Sequence, residues 1–253
     1  MADAATRINH RSYRQSWIVR ELIKAAQRGI MPDEAYCLSL IPAAGRGKVL
    51  DIGIGAGRTC APLSSMFGSY IGIDYSSELV AVARERNPGL DLRVMDGRAL
   101  AFGEEFDAVV FSWNGIDSVD FESRLKILQE MQRVLKPGGY ILYSTHNLHH
   151  DRVEPLMTRF WVRELFTSWK RTRFVAFRAL NYRRRSRDDE NGIYFVNDLG
   201  IGFRLLNAYV DIGKECARLE EMGMRLLATV GNTRSEPGFD ARDCWVSILA
   251  QKR

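Results

Sequence analysis

Short apolar runs alternate with helix-like patterns through most of the chain. The helix before the fifth run ends at Lys136-Pro137-Gly138-Gly139, a combination that stops helices. Apolar strands that alternate with helices are typical of a parallel sheet covered on both faces. The pattern therefore predicts an α/β, Rossmann-like, doubly wound and mostly parallel sheet of about seven strands, the last one antiparallel. The predicted strands lie near residues 49–52, 70–74, 92–94, 106–111, 140–144, 224–230 and 245–250.

Three regions of the chain differ in pattern. Residues 1–44 predict an N-terminal helical lid, in which Tyr13 and Tyr36 are candidates for contact with the crevice. Residues 45–146 and 211–253 hold the predicted sheet domain. Between them, residues 147–210 lose the alternation, which predicts a basic and aromatic cap inserted before the sixth strand.

The most informative stretch is the glycine-rich loop after the first strand. Gly53, Gly55 and Gly57 alternate in Asp51-Ile52-Gly53-Ile54-Gly55-Ala56-Gly57-Arg58. Glycines between a strand and a helix let the backbone turn sharply and approach a ligand. A plain strand-to-helix turn is the alternative. A nicotinamide fingerprint would need a sixth-position glycine where Arg58 stands, so that class is disfavoured.

Two acidic residues follow the next two strands. Asp74 ends the second strand, where an acid can accept hydrogen bonds from ribose hydroxyls. Asp96 and Gly97 follow the third strand, where a short acid can reach an adenine amino group. Because ligands bind at the carboxyl ends of parallel strands, these residues and the glycine loop should share one crevice.

These motifs together resemble those of the class I S-adenosylmethionine-dependent methyltransferases. Residues 49–59 look like the first motif of that family, and residues 72–76 and 94–97 are similar to its ribose and adenine segments. Residues 135–140 and 219–224 match two further turns, with Met224 where the family more often has Phe. The resemblance implies S-adenosyl-L-methionine as cofactor. It also implies these cofactor-binding residues: Asp51 near the amino group, Gly53, Gly55 and Gly57 around the methionine moiety, Asp74 and Tyr75 at the ribose, Asp96 and Gly97 at the adenine, and Ser112 and Trp113 beside the sulfonium.

Candidate catalytic groups follow the fourth and fifth strands. His146, and after it His149, can abstract a proton near neutral pH, whereas the alternative is that both belong to a lid. Asp117 could position or deprotonate a hydroxyl, or cap the next helix. A metal site that combines these histidines with Asp117 or Asp151 has no regular ligand spacing, so no metal is predicted.

Charge is concentrated in one part of the chain. The formal net charge is +5, and residues 163–187 hold nine Lys or Arg against one acid, Glu164. Interleaved arginines and aromatics suit a phosphate-bearing ligand, although a solvated helix face is the alternative. The four cysteines form no C-x-x-C pair, and neither a signal peptide nor a membrane span is evident, which favours a cytoplasmic protein.

The predicted function is methyl transfer to a hydroxyl or amine of a small molecule. Residues 111–117 and 144–147 look similar to methyltransferases of bacterial surface-glycan pathways, which points towards a sugar or phosphate-bearing acceptor. Two alternatives stay open: an RNA methyltransferase that uses the basic segment, and a non-catalytic protein that keeps the cofactor fold. The oligomeric state is not predicted.

Overall fold

The computed structural model describes residues 4–13, 15–151, 186–197 and 205–253. A single mixed sheet organises this part of the protein. All seven predicted strands are present, in the spatial order β3-β2-β1-β4-β5-β10-β9. The first five are parallel, and β10 is antiparallel to both of its neighbours, as predicted. The strands are β1 Lys48–Ile52, β2 Ser69–Asp74, β3 Asp91–Val94, β4 Phe106–Phe111, β5 Leu135–Asn147, β6 Ser186–Asp188, β7 Ile193–Val196, β8 Asn207–Val210, β9 Met224–Gly231 and β10 Trp245–Lys252.

Helices cover both faces of this sheet. One apolar core joins α1, α6 and α7 to the sheet, and the other joins α3, α4 and α5 to its opposite face. Residues of β1 alternate between the two cores, as a strand buried on both sides must. The helices are α1 Ala4–Tyr13, α2 Ser16–Ala25, α3 Pro32–Ser39, α4 Cys60–Met66, α5 Ser77–Arg86, α6 Phe121–Val134 and α7 Ile212–Glu221.

Three short strands correct the predicted strand count. Residues 147–210 were predicted to form a cap inserted before the sixth strand, with no strand of its own in the sheet count. Their described part contributes β6, β7 and β8, which makes ten strands in the residues described. The reason lies in β5, whose pairing with β4 ends at Tyr143, so its last residues project beyond that neighbour. There β8 pairs with it in parallel, His146 opposite Tyr209. These strands have only three or four residues each and lie where the alternation of strands and helices lapses, so the pattern did not predict them. Residues 163–185 of the basic segment lie outside the described residues.

Candidate active site

The glycine loop between β1 and α4 adopts a backbone that other residues avoid. Gly53, Gly55 and Gly57 have φ angles of +67°, +54° and +86°, in the left-handed region that favours glycine. A Cβ on Gly53 would lie 2.4 Å from the Phe111 ring, so packing also requires a glycine there. At Gly55 a Cβ would meet no atom within 4 Å, because that side of the loop faces open space. The loop thus leaves room for a ligand at Gly55.

Asp74 lies beside this space at the end of β2. Its Oδ2 accepts a hydrogen bond from the Gly55 amide and its Oδ1 one from the Ser76 amide, both at 2.9 Å. Burial raises the pKa of Asp74, and these two amides oppose the rise. A carboxylate offers about four acceptor positions, so each oxygen keeps capacity for a further donor. Asp74 can therefore accept from a diol while it holds the loop.

A cavity of about 490 Å³ opens at the carboxyl edge of β1, β2 and β4, within the range of roughly 300–1,000 Å³ for small-molecule sites. Two predicted residues, Asp51 and Gly57, are not on its wall. The N-terminal helices add Thr6, Tyr13 and Leu22 to the lining. The predicted cofactor-binding residues on the wall are Gly53, Gly55, Asp74, Tyr75, Asp96, Gly97, Ser112 and Trp113.

Asp51 lies behind the loop rather than in the cavity. Its Oδ2 accepts hydrogen bonds from Thr59 Oγ1 at 2.6 Å and Tyr70 OH at 2.9 Å. Its Oδ1 is buried and has no hydrogen-bond partner among the described residues. Burial raises the pKa of this carboxyl to about 7. Contact with a ligand's amino group stays a prediction, which this side-chain position does not support.

The part of the cavity wall at Asp96 carries an ion pair that the sequence did not suggest. The Arg98 guanidinium donates to Asp96 Oδ2 at 2.6 Å, and both side chains are about two-fifths exposed. Desolvation would raise the pKa of Asp96, but the bonds from Arg98 outweigh it and lower the pKa. A Cβ on Gly97 would approach Ile52 to 3.2 Å. Asp96 therefore stays ionised at the cavity mouth.

The first helix closes one side of the cavity. Tyr13 OH is 2.9 Å from Ser118 Oγ, and its ring meets that of Tyr75 edge-on at 6.4 Å. The Asn9 side-chain Nδ2 donates to the backbone carbonyls of Ser118 and Leu206, both at 2.8 Å. Its Oδ1 accepts from the backbone amide of Leu206. Tyr36, the other lid candidate, packs against the core on the α3 face instead.

The turn after β4 is strained. Trp113 and Asn114 are non-glycine residues with φ of +51° and +58°, each of which costs about 1–2 kcal/mol. The backbone amide of Asn114 donates to Ser144 Oγ at 2.8 Å. The Arg58 and Arg28 guanidinium carbons lie 5.3 and 5.8 Å from the Trp113 ring centroid. These contacts hold Trp113 on the cavity wall.

Two of the three predicted catalytic residues come together behind this turn. His146 Nδ1 is 2.7 Å from Asp117 Oδ2, which also accepts the His146 amide at 2.8 Å. The imidazole is stacked on Tyr209, and its Nε2 lies 3.3 Å from Asn114 Nδ2. His149 is separate: its side chain is 67% exposed and pairs with Asp211. The pair formed by Asp117 and His146 is not part of the cavity lining, which includes Trp113 and Gly115 on either side of Asn114.

Two of the roles suggested for Asp117 do not fit its surroundings. Its side chain is fully buried, and both oxygens are occupied, Oδ1 by Arg124 and Thr145 and Oδ2 by His146. Proton abstraction from an acceptor by Asp117 stays a prediction, which this buried position does not support, whereas its hydrogen bonds orient His146. The helix cap is Asp120, whose Oδ1 accepts the Ser123 amide at 2.9 Å.

Arg124 and Glu215 are site-associated residues that the sequence analysis missed. Arg124 lies in the buried stripe of α6 with Ile127, Leu128 and Met131. Glu215 lies in the buried stripe of α7 with Ile212 and Leu219. A charged residue at an apolar position of a helix is a usable signal, because burial demands a partner of opposite charge.

Among the described residues, no three His, Cys, Asp or Glu side chains are grouped so that they could hold a metal ion. No helix in the same ranges has the length and apolar character needed to cross a membrane.

Comparison with known proteins gives one family match. Residues 49–139 match the family described as a methyltransferase domain. The chain is 38% identical over 107 residues to phosphatidylethanolamine N-methyltransferase of Cereibacter sphaeroides, covering 40% of this chain and 51% of that protein. It is 34% identical over 112 residues to demethylmenaquinone methyltransferase of Renibacterium salmoninarum, covering 44% and 45%. The chain thus spans about half the length of these relatives.

Two solved structures share the fold over 82% and 98% of the chain. A Thermotoga maritima S-adenosylmethionine-dependent methyltransferase, described as a possible histamine N-methyltransferase, aligns with a TM-score of 0.58 at 17% identity, covering 98% of this chain and 100% of that one. A Clostridium acetobutylicum S-adenosylmethionine-dependent methyltransferase aligns with a TM-score of 0.56 at 15% identity, covering 82% and 84%.

Proposed function

We propose that this chain is a class I S-adenosylmethionine-dependent methyltransferase that methylates a hydroxyl or amine of a small molecule. Residues 49–139 match a methyltransferase domain, and solved methyltransferases share the fold. S-adenosylmethionine supplies a methyl group that is already activated on a sulfonium. The main task of the protein is then to hold the acceptor in line with that group.

One observation carries the proposal: the cavity wall combines donors and acceptors that match the three parts of this cofactor. Open space at Gly55 suits the amino-acid tail, and the spare acceptor positions of Asp74 suit a ribose diol. Asp96, beside the apolar Val94 and Met95, suits an adenine amine. The residues of the cavity therefore fit the group that the family uses.

The acceptor is proposed to approach at Trp113, where the cavity meets the turn that carries Asn114. For a hydroxyl acceptor, His146 is the proposed base. Because its Nδ1 donates to Asp117, its Nε2 carries the lone pair. Asn114 must move from Nε2 for a proton to reach it. An amine acceptor that is already neutral needs no base. His149, whose side chain is 67% exposed and pairs with Asp211, is not proposed for this role.

The cofactor assignment is tested by calorimetry with S-adenosylmethionine. Asp74→Asn should weaken binding by about 1–3 kcal/mol, or roughly 5- to 150-fold, because a charged acceptor is lost. Asp91→Asn, at an exposed acid of β3, is the control and should bind like wild type. Equal affinity in the Asp74 variant would refute its ribose role.

Methyl-labelled cofactor incubated with a metabolite extract tests the activity, with mass spectrometry to find the labelled product. A labelled sugar or phosphate-bearing product would support the finer proposal. His146→Ala should then slow single turnover of a hydroxyl acceptor and leave cofactor affinity unchanged. An unchanged rate would remove His146 as the base.

RNA methylation by the basic segment is the second candidate. If the protein contacts several phosphates of an RNA, its affinity for that RNA should fall on the order of a hundredfold over a few-fold rise in salt concentration. A non-catalytic protein would bind the cofactor and label no acceptor.

A further inference from the structure

Arg28 places an exposed positive charge beside the cavity. It ends the short helical turn Ala26–Arg28 that follows α2. Its guanidinium carbon lies 5.8 Å from the ring centroid of Trp113, and both Trp113 and Ala26 are on the cavity wall. Within the ranges that the structure describes, this ring is the one contact of the Arg28 guanidinium, and no carboxylate pairs with it. Its N–H donors are therefore available to a ligand.

The backbone next to Arg28 is held by a buried ion pair. Arg58 donates to both carboxylate oxygens of Glu34, at 2.8 and 2.6 Å, and from Nη1 also to the carbonyl of Gly29 at 2.6 Å. Gly29 has a φ of +66°, which favours glycine, so the chain turns sharply directly after Arg28. The segment that presents Arg28 is thus tied to the glycine loop through Arg58, which fixes its place beside the cavity.

Arg58 is also near Trp113, but it is not available to a ligand. Its guanidinium carbon lies 5.3 Å from the ring centroid, its side chain is buried, and Glu34 neutralises its charge. A buried arginine that leaves such a partner loses several kcal/mol by order of magnitude. Of the two guanidinium groups at this ring, Arg28 is therefore the one whose charge is not balanced.

The charges around the cavity are divided between its two sides. Asp74 and Asp96 follow β2 and β3, whereas Trp113 follows β4, and β1 separates the two sides. The acidic side suits the diol and the amine of the proposed cofactor. Arg28 makes the other side positive, and S-adenosylmethionine brings one more positive charge on its sulfonium. A ligand that enters beside Trp113 is thus attracted if it is an anion and repelled if it is a cation.

We propose that Arg28 is a specificity-determining residue, which binds a carboxylate or phosphate group of the methyl acceptor. The planar fork of a guanidinium matches the paired oxygens of either group. The inference rests on the proposed function and narrows the acceptor to an anionic small molecule. Because the cofactor has a carboxylate of its own, the experiments must separate the two sources of negative charge.

The first experiment identifies the charge of the acceptor. A metabolite extract is divided by ion exchange into anionic, neutral and cationic fractions, and each fraction is incubated with the protein and methyl-labelled S-adenosylmethionine. We expect most of the label in the anionic fraction. Most of the label in the neutral or cationic fractions would overturn this inference and leave the proposed function standing. No label in any fraction would overturn both.

The second experiment compares variants on the labelled acceptor. Arg28→Gln should lower kcat/KM by roughly 10- to 150-fold, mainly through a higher KM, because a hydrogen-bonded charge pair is lost. Arg28→Lys keeps the charge but not the planar fork, so its loss should be smaller. Arg20→Gln removes an exposed arginine from α2 with the same change in net charge, and should behave like wild type. An unchanged KM in Arg28→Gln would overturn the inference.

Calorimetry with S-adenosylmethionine separates the acceptor from the cofactor as the source of the anion. Arg28→Gln should bind the cofactor as tightly as wild type does. Weaker binding would assign the anion site at Arg28 to the carboxylate of the cofactor, which would overturn its role in acceptor specificity while the proposed methyl transfer stands.

Discussion

The Asp51 carboxyl should make the free energy of unfolding depend on pH. It is fully buried. Among the described residues its Oδ1 has no partner, and only Thr59 and Tyr70 donate to its Oδ2. Burial raises its pKa from 3.8 to about 7. The folded protein therefore binds the proton more tightly than the unfolded chain does.

The sign and size follow from proton linkage. The stabilising contribution is fully present below pH 3.8 and is lost as pH rises towards about 7. At 1.36 kcal/mol for each pKa unit, the loss is about 4 kcal/mol. Asp51→Asn has a similar shape and does not titrate, so it should lack this dependence.

Urea unfolding of both proteins at a series of pH values, followed by tryptophan fluorescence, measures the effect. The difference in unfolding free energy between the two should change by about 4 kcal/mol from pH 4 to pH 8, with wild type losing stability relative to the variant. Contributions from other buried acids cancel in this difference. Parallel curves for the two proteins would refute the reasoning, and Asp91→Asn, at an exposed acid, should give a much smaller change.

Three further predictions concern the walls of the cavity. Gly55→Ala places a methyl group in the open space and strains the loop. S-adenosylmethionine should therefore bind at least about tenfold more weakly, and the free energy of unfolding should fall by about 1–2 kcal/mol. Calorimetry and urea unfolding measure these effects against the control Gly103→Ala, and equal affinities of the two variants would contradict the prediction. Glu34→Gln leaves the buried Arg58 without its 2.6 Å ion pair, so the free energy of unfolding should fall by about 3–5 kcal/mol. Glu21→Gln, at an exposed pair, should lower it by less than about 1 kcal/mol. Similar urea midpoints for the two variants would argue against this difference. Asn9→Ala removes three hydrogen bonds that hold α1 to Ser118 and Leu206. Trypsin should therefore cleave the variant after Arg11 faster than it cleaves wild type. An unchanged cleavage rate would show that other contacts hold α1.

Local patterns in the sequence were enough for the sheet and for most of the cavity wall. Apolar runs located the seven core strands, because a parallel strand buried on both faces must be continuously apolar. Glycine at 53, 55 and 57 predicted a backbone that only glycine adopts readily, and all three φ angles are positive. Asp74 followed from its place at a strand end, where the topology brings ligands.

Strand alternation could also have predicted the direction of the Asp51 side chain. Side chains of a strand point alternately to opposite faces, and Ile52 faces the cavity, so Asp51 faces α4. The resemblance placed it near the ligand because a motif gives the order of residues and not the direction of each side chain.

Only the tertiary structure decided the surroundings of His146. Arg124 and Glu215 are 91 positions apart in the chain, and no local pattern states which buried cation neutralises which carboxylate. The short β8 strand brings Tyr209 onto His146 because β5 extends past β4. Strand positions and glycine turns follow from the preferences of neighbouring residues, whereas the balance of buried charge depends on how distant segments pack.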